Sequence, residues 1–198
     1  MFLTNFPYRV ILASQSPRRQ QLLRELGLEF RTELRPIDEA IPPGITASEA
    51  AAYLAGRKAD EFAGALAPDE LVVTADTVVV SAGQALGKPT DATEARQMLR
   101  GLSGRTHQVV TGVCLLTQAR KWVAHDTTLV TFRDLTQAEI DYYVAQYQPY
   151  DKAGAYGIQE WIGMVGIERI EGSYFNVMGL PLHRLYQMLQ DCLPSQQP

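Results

Sequence analysis

Residues 71–80 read Leu71-Val72-Val73-Thr74-Ala75-Asp76-Thr77-Val78-Val79-Val80. The run is rich in β-branched residues and does not alternate polar with apolar positions. That pattern predicts a strand buried on both faces, hence one inside a sheet covered by other elements. Yet a carboxylate stands near its centre. A carboxylate in a central strand loses hydration, so Asp76 must be paired, hydrogen-bonded, protonated or bound to a metal. A strand also holds its side chains rigidly, which suits a catalytic base or a metal ligand. The alternative is an Asp76 at a strand end or bulge, bonded to its neighbouring threonines.

Around this run the chain alternates between strand and helix signals. Tyr8 to Ala13 reads as a short buried strand. Ser16 then offers an N-cap with Pro17 at the first helical position, Leu22, Leu23 and Leu26 form an apolar stripe, and Gly27 stops the helix. A strand near Phe30–Leu34 precedes a loop rich in Pro, Asp and Glu. Thr46-Ala47-Ser48-Glu49 is a capping box opening a helix to about Gly64. A capped helix over Asp91–Arg100 is ended by Gly101. Strands follow at His107–Leu116 and Trp122–Phe132, a helix at Gln137–Gln146, a strand at Ile162–Ile170 and a closing helix at Leu182–Leu189. Strands and helices intermingle throughout, which predicts an α/β fold with a mixed sheet. One domain over residues 1–192 is expected, with a frayed tail at 193–198.

A chain of 198 residues, 46% of them hydrophobic, can bury roughly 70% of its extended surface without disulfides or a structural metal. Its 18 Lys and Arg against 22 Asp and Glu give a net charge of −4, the wrong balance for a stable nucleic-acid partner. An anionic ligand then needs a local basic cluster or a bound cation. Cys114 and Cys192 are the only cysteines and suggest neither a disulfide framework nor a zinc site. Residues 1–9 lack the basic-then-apolar layout of a signal peptide, and no apolar run approaches the ~18 residues that span a bilayer. The expected compartment is the cytoplasm, with no membrane partner.

Six further segments carry candidate chemistry. Ala13-Ser14-Gln15-Ser16-Pro17-Arg18-Arg19 joins a strand to a helix N-terminus, where free N–H groups, two hydroxyls and two guanidiniums suit a phosphate. It is otherwise a capped helix with two solvated arginines. Lys58 shares a helix face with Ala47, Ala51 and Leu54, and either reaches inward or snorkels to solvent. Lys88, in Gly87-Lys88-Pro89, is an exposed loop lysine or a phosphate ligand. Glu39, in a loop, offers a second carboxylate for a magnesium site. His107 is a candidate general base, or a strand-starting histidine with local hydrogen bonds. In Asp151-Lys152-Ala153-Gly154-Ala155-Tyr156-Gly157-Ile158-Gln159 the glycines suggest close approach of a ligand or backbone, and the Gln159 amide can read a base edge. Gly172–Pro181 is expected to be structural. Together these residues point to metal-assisted phosphate chemistry, and no Walker A, GxGxxG or Ser/His/Asp motif suggests otherwise.

In series, the motifs at 13–19, 75–79, 87–89, 103–107, 151–159 and 176–181 resemble those of the Maf family of nucleoside triphosphate pyrophosphatases. The resemblance covers nearly the whole chain. It implies an elongated mixed sheet flanked by helices, two lobes around a cleft, and a fold similar to that of inosine triphosphate pyrophosphatases. It also implies hydrolysis of a nucleoside triphosphate to monophosphate and pyrophosphate, with water attacking the α-phosphorus. A divalent cation (Mg2+ or Mn2+) held by Glu39 and Asp76, and often a homodimer, come with it. By position, Asp76 matches the family's proton acceptor. Ser14, Arg19, Glu39, Lys58 and Lys88 match its phosphate- and metal-handling residues. Arg18, Thr77 and Gln159 resemble the branch that prefers dTTP and UTP. Two other readings are a non-catalytic nucleotide-binding regulator of cell division acting through a protein partner, and a general phosphatase releasing orthophosphate.

Overall fold

The computed structural model describes Leu3 and residues 6–193. The expected frayed tail lies outside the described residues except for Leu193. Seven strands form one mixed sheet: β1 (Arg9–Leu12), β2 (Phe30–Thr32), β3 (Glu70–Ser81), β4 (Gln84–Leu86), β5 (Thr106–Leu116), β6 (Lys121–Phe132) and β7 (Ile167–Glu171). Their order is β2-β1-β3-β5-β6-β7, with β4 also paired to β3. β1 runs parallel to both β2 and β3, and every other pairing is antiparallel.

The run at 71–80 becomes β3, flanked by β1 and then β4 on one side and β5 on the other. Its side chains alternate between two apolar environments. Val73, Ala75 and Val79 enter the main core. That core also takes Leu22 and Leu23 of α1 (Pro17–Glu25), Leu99 and Leu102 of α3 (Ala92–Leu102), Ile140 and Tyr143 of α4 (Gln137–Tyr147), and Leu185 and Leu189 of α7 (Leu182–Asp191). Val72, Val78 and Val80 face the other way, packing with alanines of α2 (Ala47–Asp60). Each such fully buried Val or Leu contributes roughly 1.5–3 kcal/mol of transfer free energy.

α2 lies unusually close to the sheet, and one residue allows it. Gly112 of β5 stands directly across from Asp76 in the antiparallel ladder. A Cβ there would fall 2.2 Å from the backbone oxygen of Ala51. With no side chain at 112 the helix backbone rests on the strand. Thr74, two residues before Asp76 on the same face, donates from Oγ1 to the Ala55 carbonyl at 2.6 Å. This contact fixes the register of α2 along β3.

The two partners of β3 on its outer side do not meet. β1 pairs as far as Leu12 with Val73, and β4 ends with Leu86 opposite Val79. Between them, residues 74–78 have no strand neighbour on that side. The hairpin into β4 turns through Ala82 and Gly83 at φ 50° and 77°, both left-handed as a two-residue turn of this twist requires.

Three local expectations change. The strand expected at Ile162–Ile170 divides into α5 (Trp161–Gly166) and β7. Ile162 and Gly166, four residues apart, are the buried positions of the first half, a helical spacing that the β-branched residues there disguise. α2 ends at Asp60 and is followed by turns rather than continuing to Gly64. α3 runs past Gly101 to Leu102. β4 and the short α6 (Tyr174–Met178) have no clear periodic signal in sequence. Among the described residues no helix is long and apolar enough to cross a membrane.

Candidate active site

The bare stretch of β3 opens onto a cleft of about 470 Å³, lined by Asp76, Thr77 and Val78 from the strand itself. A second cavity of about 610 Å³ adjoins it and shares Arg19, Glu39, Lys58 and Lys88. Together they have the size and mixed lining of a nucleotide-sized site. The cleft has two chemically different ends.

One end is charged. Lys58, two turns beyond the Gly112 contact on α2, extends inward. Its Nζ donates to Asp76 Oδ1 at 2.5 Å and lies 2.9 Å from Glu39 Oε1. The inward alternative for Lys58 is therefore the one realised. One ammonium serves two carboxylates, and the hydrogen bond from Lys58 holds the Glu39 carboxyl below the usual carboxylate range. Lys88, in the turn after β4, faces the same space. Among the described residues it forms no ion pair, so its ammonium remains available to a ligand.

Arg19 spans the bare edge of β3. Its Nη1 donates to the Ala75 carbonyl at 2.9 Å, supplying the bond a strand neighbour would have made. Nε reaches the Gly179 carbonyl at 2.8 Å and Nη2 the Thr77 hydroxyl at 3.0 Å. Burial lowers its pKa and the Asp76 charge opposes that shift. Arg19 lines the cleft, but three of its five N–H donors are engaged with the chain. Gly179 is left-handed at φ 110°, and it lines the cleft with Val177 and Met178. The segment expected to be structural thus builds a wall of the site. Ser14 lies in the adjoining cavity, buried, where its Oγ accepts from Ser16 N at 3.2 Å.

The other end is built on the loop after α4. Its backbone is tied to the Lys88 turn by Gly154 N donating to the Gly87 carbonyl at 3.0 Å. Gln159 lines the cleft, and its Oε1 is buried without a partner. Thr77 Oγ1 lies 3.0 Å from Thr111 Oγ1. Arg18 donates from Nη1 to Asp151 Oδ2 at 2.9 Å, joining the start of α1 to this loop. Asp151 Oδ1 accepts from Lys152 Nζ at 2.7 Å. Lys152, whose side chain is only 8% exposed, also meets Glu160 Oε1 at 3.1 Å. Lys152 and Glu160 escaped the sequence reading because charged residues in a glycine-rich loop look solvated. The usable signal was two opposite charges flanking a segment of small and aromatic residues.

His107 is not in the cleft. It is 2% exposed, stacked on Phe132, with Nε2 2.7 Å from the Tyr156 hydroxyl. Burial pushes its pKa down to about 4, so it is neutral at physiological pH. This is the structural alternative, not the general base. Tyr156 itself lines the cleft.

Among the described residues no three His, Cys, Asp or Glu side chains cluster to hold a metal ion. Glu39 and Asp76 nevertheless converge on one cationic group. Two hard oxygen donors suit magnesium or manganese, which complete their shell with water and phosphate oxygens. The donor set fits a cation that arrives with a polyphosphate.

A family model described as Maf-like protein matches residues 9–192. Proteins named dTTP/UTP pyrophosphatase are similar over most of their length. The one from Phocaeicola vulgatus is 51% identical over 184 residues, covering 92% of this chain and 95% of the relative. Those from Porphyromonas gingivalis (51%, covering 93% and 94%) and Flavobacterium johnsoniae (48%, covering 92% and 94%) agree. Among solved structures, the Staphylococcus aureus Ham1 protein aligns with a TM-score of 0.53 at 16% identity, covering 92% of this chain and 98% of that one. That likeness shows the fold alone: a mixed sheet flanked by helices, as expected from sequence.

Proposed function

The chain belongs to the Maf family, and from that premise and the cleft we propose that it hydrolyses dTTP and UTP to the monophosphate and pyrophosphate. It is a nucleoside triphosphate pyrophosphatase. The observation that carries this reading is the polarity of the cleft: Glu39, Lys58, Asp76 and Lys88 at one end, and the uncharged Thr77, Tyr156 and Gln159 at the other. Triphosphate and base have opposite needs, and each end suits one of them.

In this reading the polyphosphate lies along the bare edge of β3. Asp76 Oδ1 is held by Lys58, which leaves Oδ2 to accept the proton of a water molecule. The water oxygen bonds to the α-phosphorus as the bond to the bridging α–β oxygen breaks. The electron pair of that bond leaves on pyrophosphate. Lys58 and Lys88 offset the charge that grows on the phosphates. Arg19 holds the strand edge open and Ser14 shapes the anion-binding turn. A divalent cation held by Glu39 and Asp76 supplies charge neutralisation and Lewis acidity at the phosphate oxygens when bound. At the far end the Gln159 side chain lines the space for the base, with Thr77 and Arg18 alongside. The same reading carries a homodimer, for which exposed Met164, Tyr174 and Phe175 offer apolar surface, and a cytoplasmic setting.

The test is product analysis on dTTP and UTP with magnesium or manganese, with Asp76→Asn as control. Pyrophosphate and monophosphate in equal amounts, reduced at least ~100-fold in the variant, support the reaction and the role of Asp76. Release of orthophosphate, or near-normal turnover by Asp76→Asn, overturns them.

A further inference from the structure

Arg19 lines the cleft with two of its five N–H donors uncommitted among the described residues, one on Nη1 and one on Nη2. A guanidinium is planar, so its contacts with the chain decide where those two donors lie. Two of the contacts end on the backbone carbonyls of Ala75 and Gly179. The third ends on the Thr77 hydroxyl, which can turn. With its proton turned toward Nη2, that hydroxyl would set donor against donor. The contact therefore holds only while the Thr77 proton is kept elsewhere.

Thr111 keeps it there. It stands directly opposite Thr77 in the ladder between β3 and β5, and it is fully buried. Its Oγ1 lies 3.0 Å from Thr77 Oγ1 and donates to the Asn176 carbonyl at 2.8 Å. A hydroxyl has one proton, and a carbonyl can only accept. The Thr111 proton is thus committed to Asn176, and between the two threonines Thr77 is the donor. Every proton in the series has one direction: Arg19 to Thr77, Thr77 to Thr111, Thr111 to the Asn176 carbonyl. The last acceptor is itself held in place. Asn176 is fully buried, and its Nδ2 donates to the Val109 carbonyl at 2.9 Å and to Thr128 Oγ1 at 3.0 Å. Gly179, the C-cap of the same α6, takes Arg19 Nε on its carbonyl, so the series closes on itself.

We propose that Thr111 is a positioning residue for the polyphosphate site: through Thr77 it locks the Arg19 guanidinium, so that the two remaining donors meet phosphate oxygens already ordered. This rests on the reading of function above. It gives a task to a buried side chain that does not line the cleft.

The experiment is a double-mutant cycle read by calorimetry. The Kd of inorganic pyrophosphate in the presence of magnesium is measured for the wild type, Thr111→Val, Arg19→Lys and the double variant, and UTP turnover by the wild type is assayed alongside. Thr111→Val weakens pyrophosphate about fivefold when Arg19 is present and changes nothing in the Arg19→Lys background. Thr111→Ser keeps the hydroxyl and binds like the wild type. Thr111→Val leaves the Asn176 carbonyl its bond from Gly179 N at 3.0 Å, so that acceptor is not orphaned. Equal losses in both backgrounds mark a merely structural role and overturn the proposal. A loss in Thr111→Ser as large as in Thr111→Val does the same. If Thr111→Val yields no folded protein, Thr77→Val breaks the series one link nearer the cleft, and its cycle with Arg19→Lys is read by the same rule. A wild type that turns over UTP but shows equal losses overturns this inference alone. One that does not convert UTP to monophosphate and pyrophosphate overturns the reading of function on which it rests.

Discussion

The two ends of the cleft are made in different ways. At the phosphate end the charged groups come chiefly from the middle of β3 and the middle of α2, held together by the close packing that Gly112 permits. At the base end the groups come from a loop whose shape depends on side chains reaching across it: Tyr143, Lys152, Asp151 and the partner Arg18. Chemistry that must not vary sits on backbone hydrogen bonds. Selection sits on contacts that a single substitution can alter.

The largest expected effect breaks the phosphate end alone. Lys58→Met leaves Glu39 and Asp76 without their shared cation. kcat on UTP should fall about 1,000-fold, with circular dichroism unchanged and the relative preference for dTTP and UTP retained. A change in preference would mean that the two ends are not separable.

Acid should act on the base end first. His107 supports Tyr156, and its folded pKa of about 4 lies below the unfolded value of 6.5. A histidine depressed in this way favours the folded state fully above pH 6.5, and that contribution is lost as pH falls toward 4. The loss approaches ~3 kcal/mol at pH 4. Urea unfolding from pH 7 to 4 should show it, and His107→Gln should flatten the slope over that window. An identical slope in the variant would exclude His107 as the source.

The smallest effect sharpens the comparison. Asp151 is 57% exposed on its side chain and links Arg18 to Lys152. Asp151→Asn weakens two partly solvated pairs. KM for UTP should rise about threefold with kcat nearly unchanged. A kcat loss as large as the KM change would place Asp151 with the phosphate end instead.

Much of the phosphate end was legible in the sequence because its residues obey element periodicity. Asp76 interrupts a run that can only be a strand, and Lys58 falls on the apolar face of a helix. Periodicity gives a face and not a partner, so the meeting of Lys58 with both Glu39 and Asp76 appears only in three dimensions. The same limit applies to Arg19. Its place at a helix start suggests a free phosphate ligand, yet three of its donors are engaged with the chain, one of them replacing a missing strand neighbour. Ile162–Ile170 was misread because β-branched composition outweighed the four-residue spacing of Ile162 and Gly166. Glu160 and Lys152 gave only the signal of two opposite charges flanking small and aromatic residues, since a charge in a loop announces burial only through the groups that surround it.

The interrupted edge of β3 has a further consequence. Its opening runs from the last rung of β1 at Val73 to the first rung of β4 at Val79. Strand pairing advances in whole residues of about 3.3 Å, so the opening can be widened or narrowed only in such steps. Lengthening β1 by one rung, or drawing the Ala82–Gly83 hairpin back by one, shortens the trough without touching a catalytic side chain. The ladder on either side of the gap is in effect a ruler for the length of substrate that fits, and it can be reset by loop length alone.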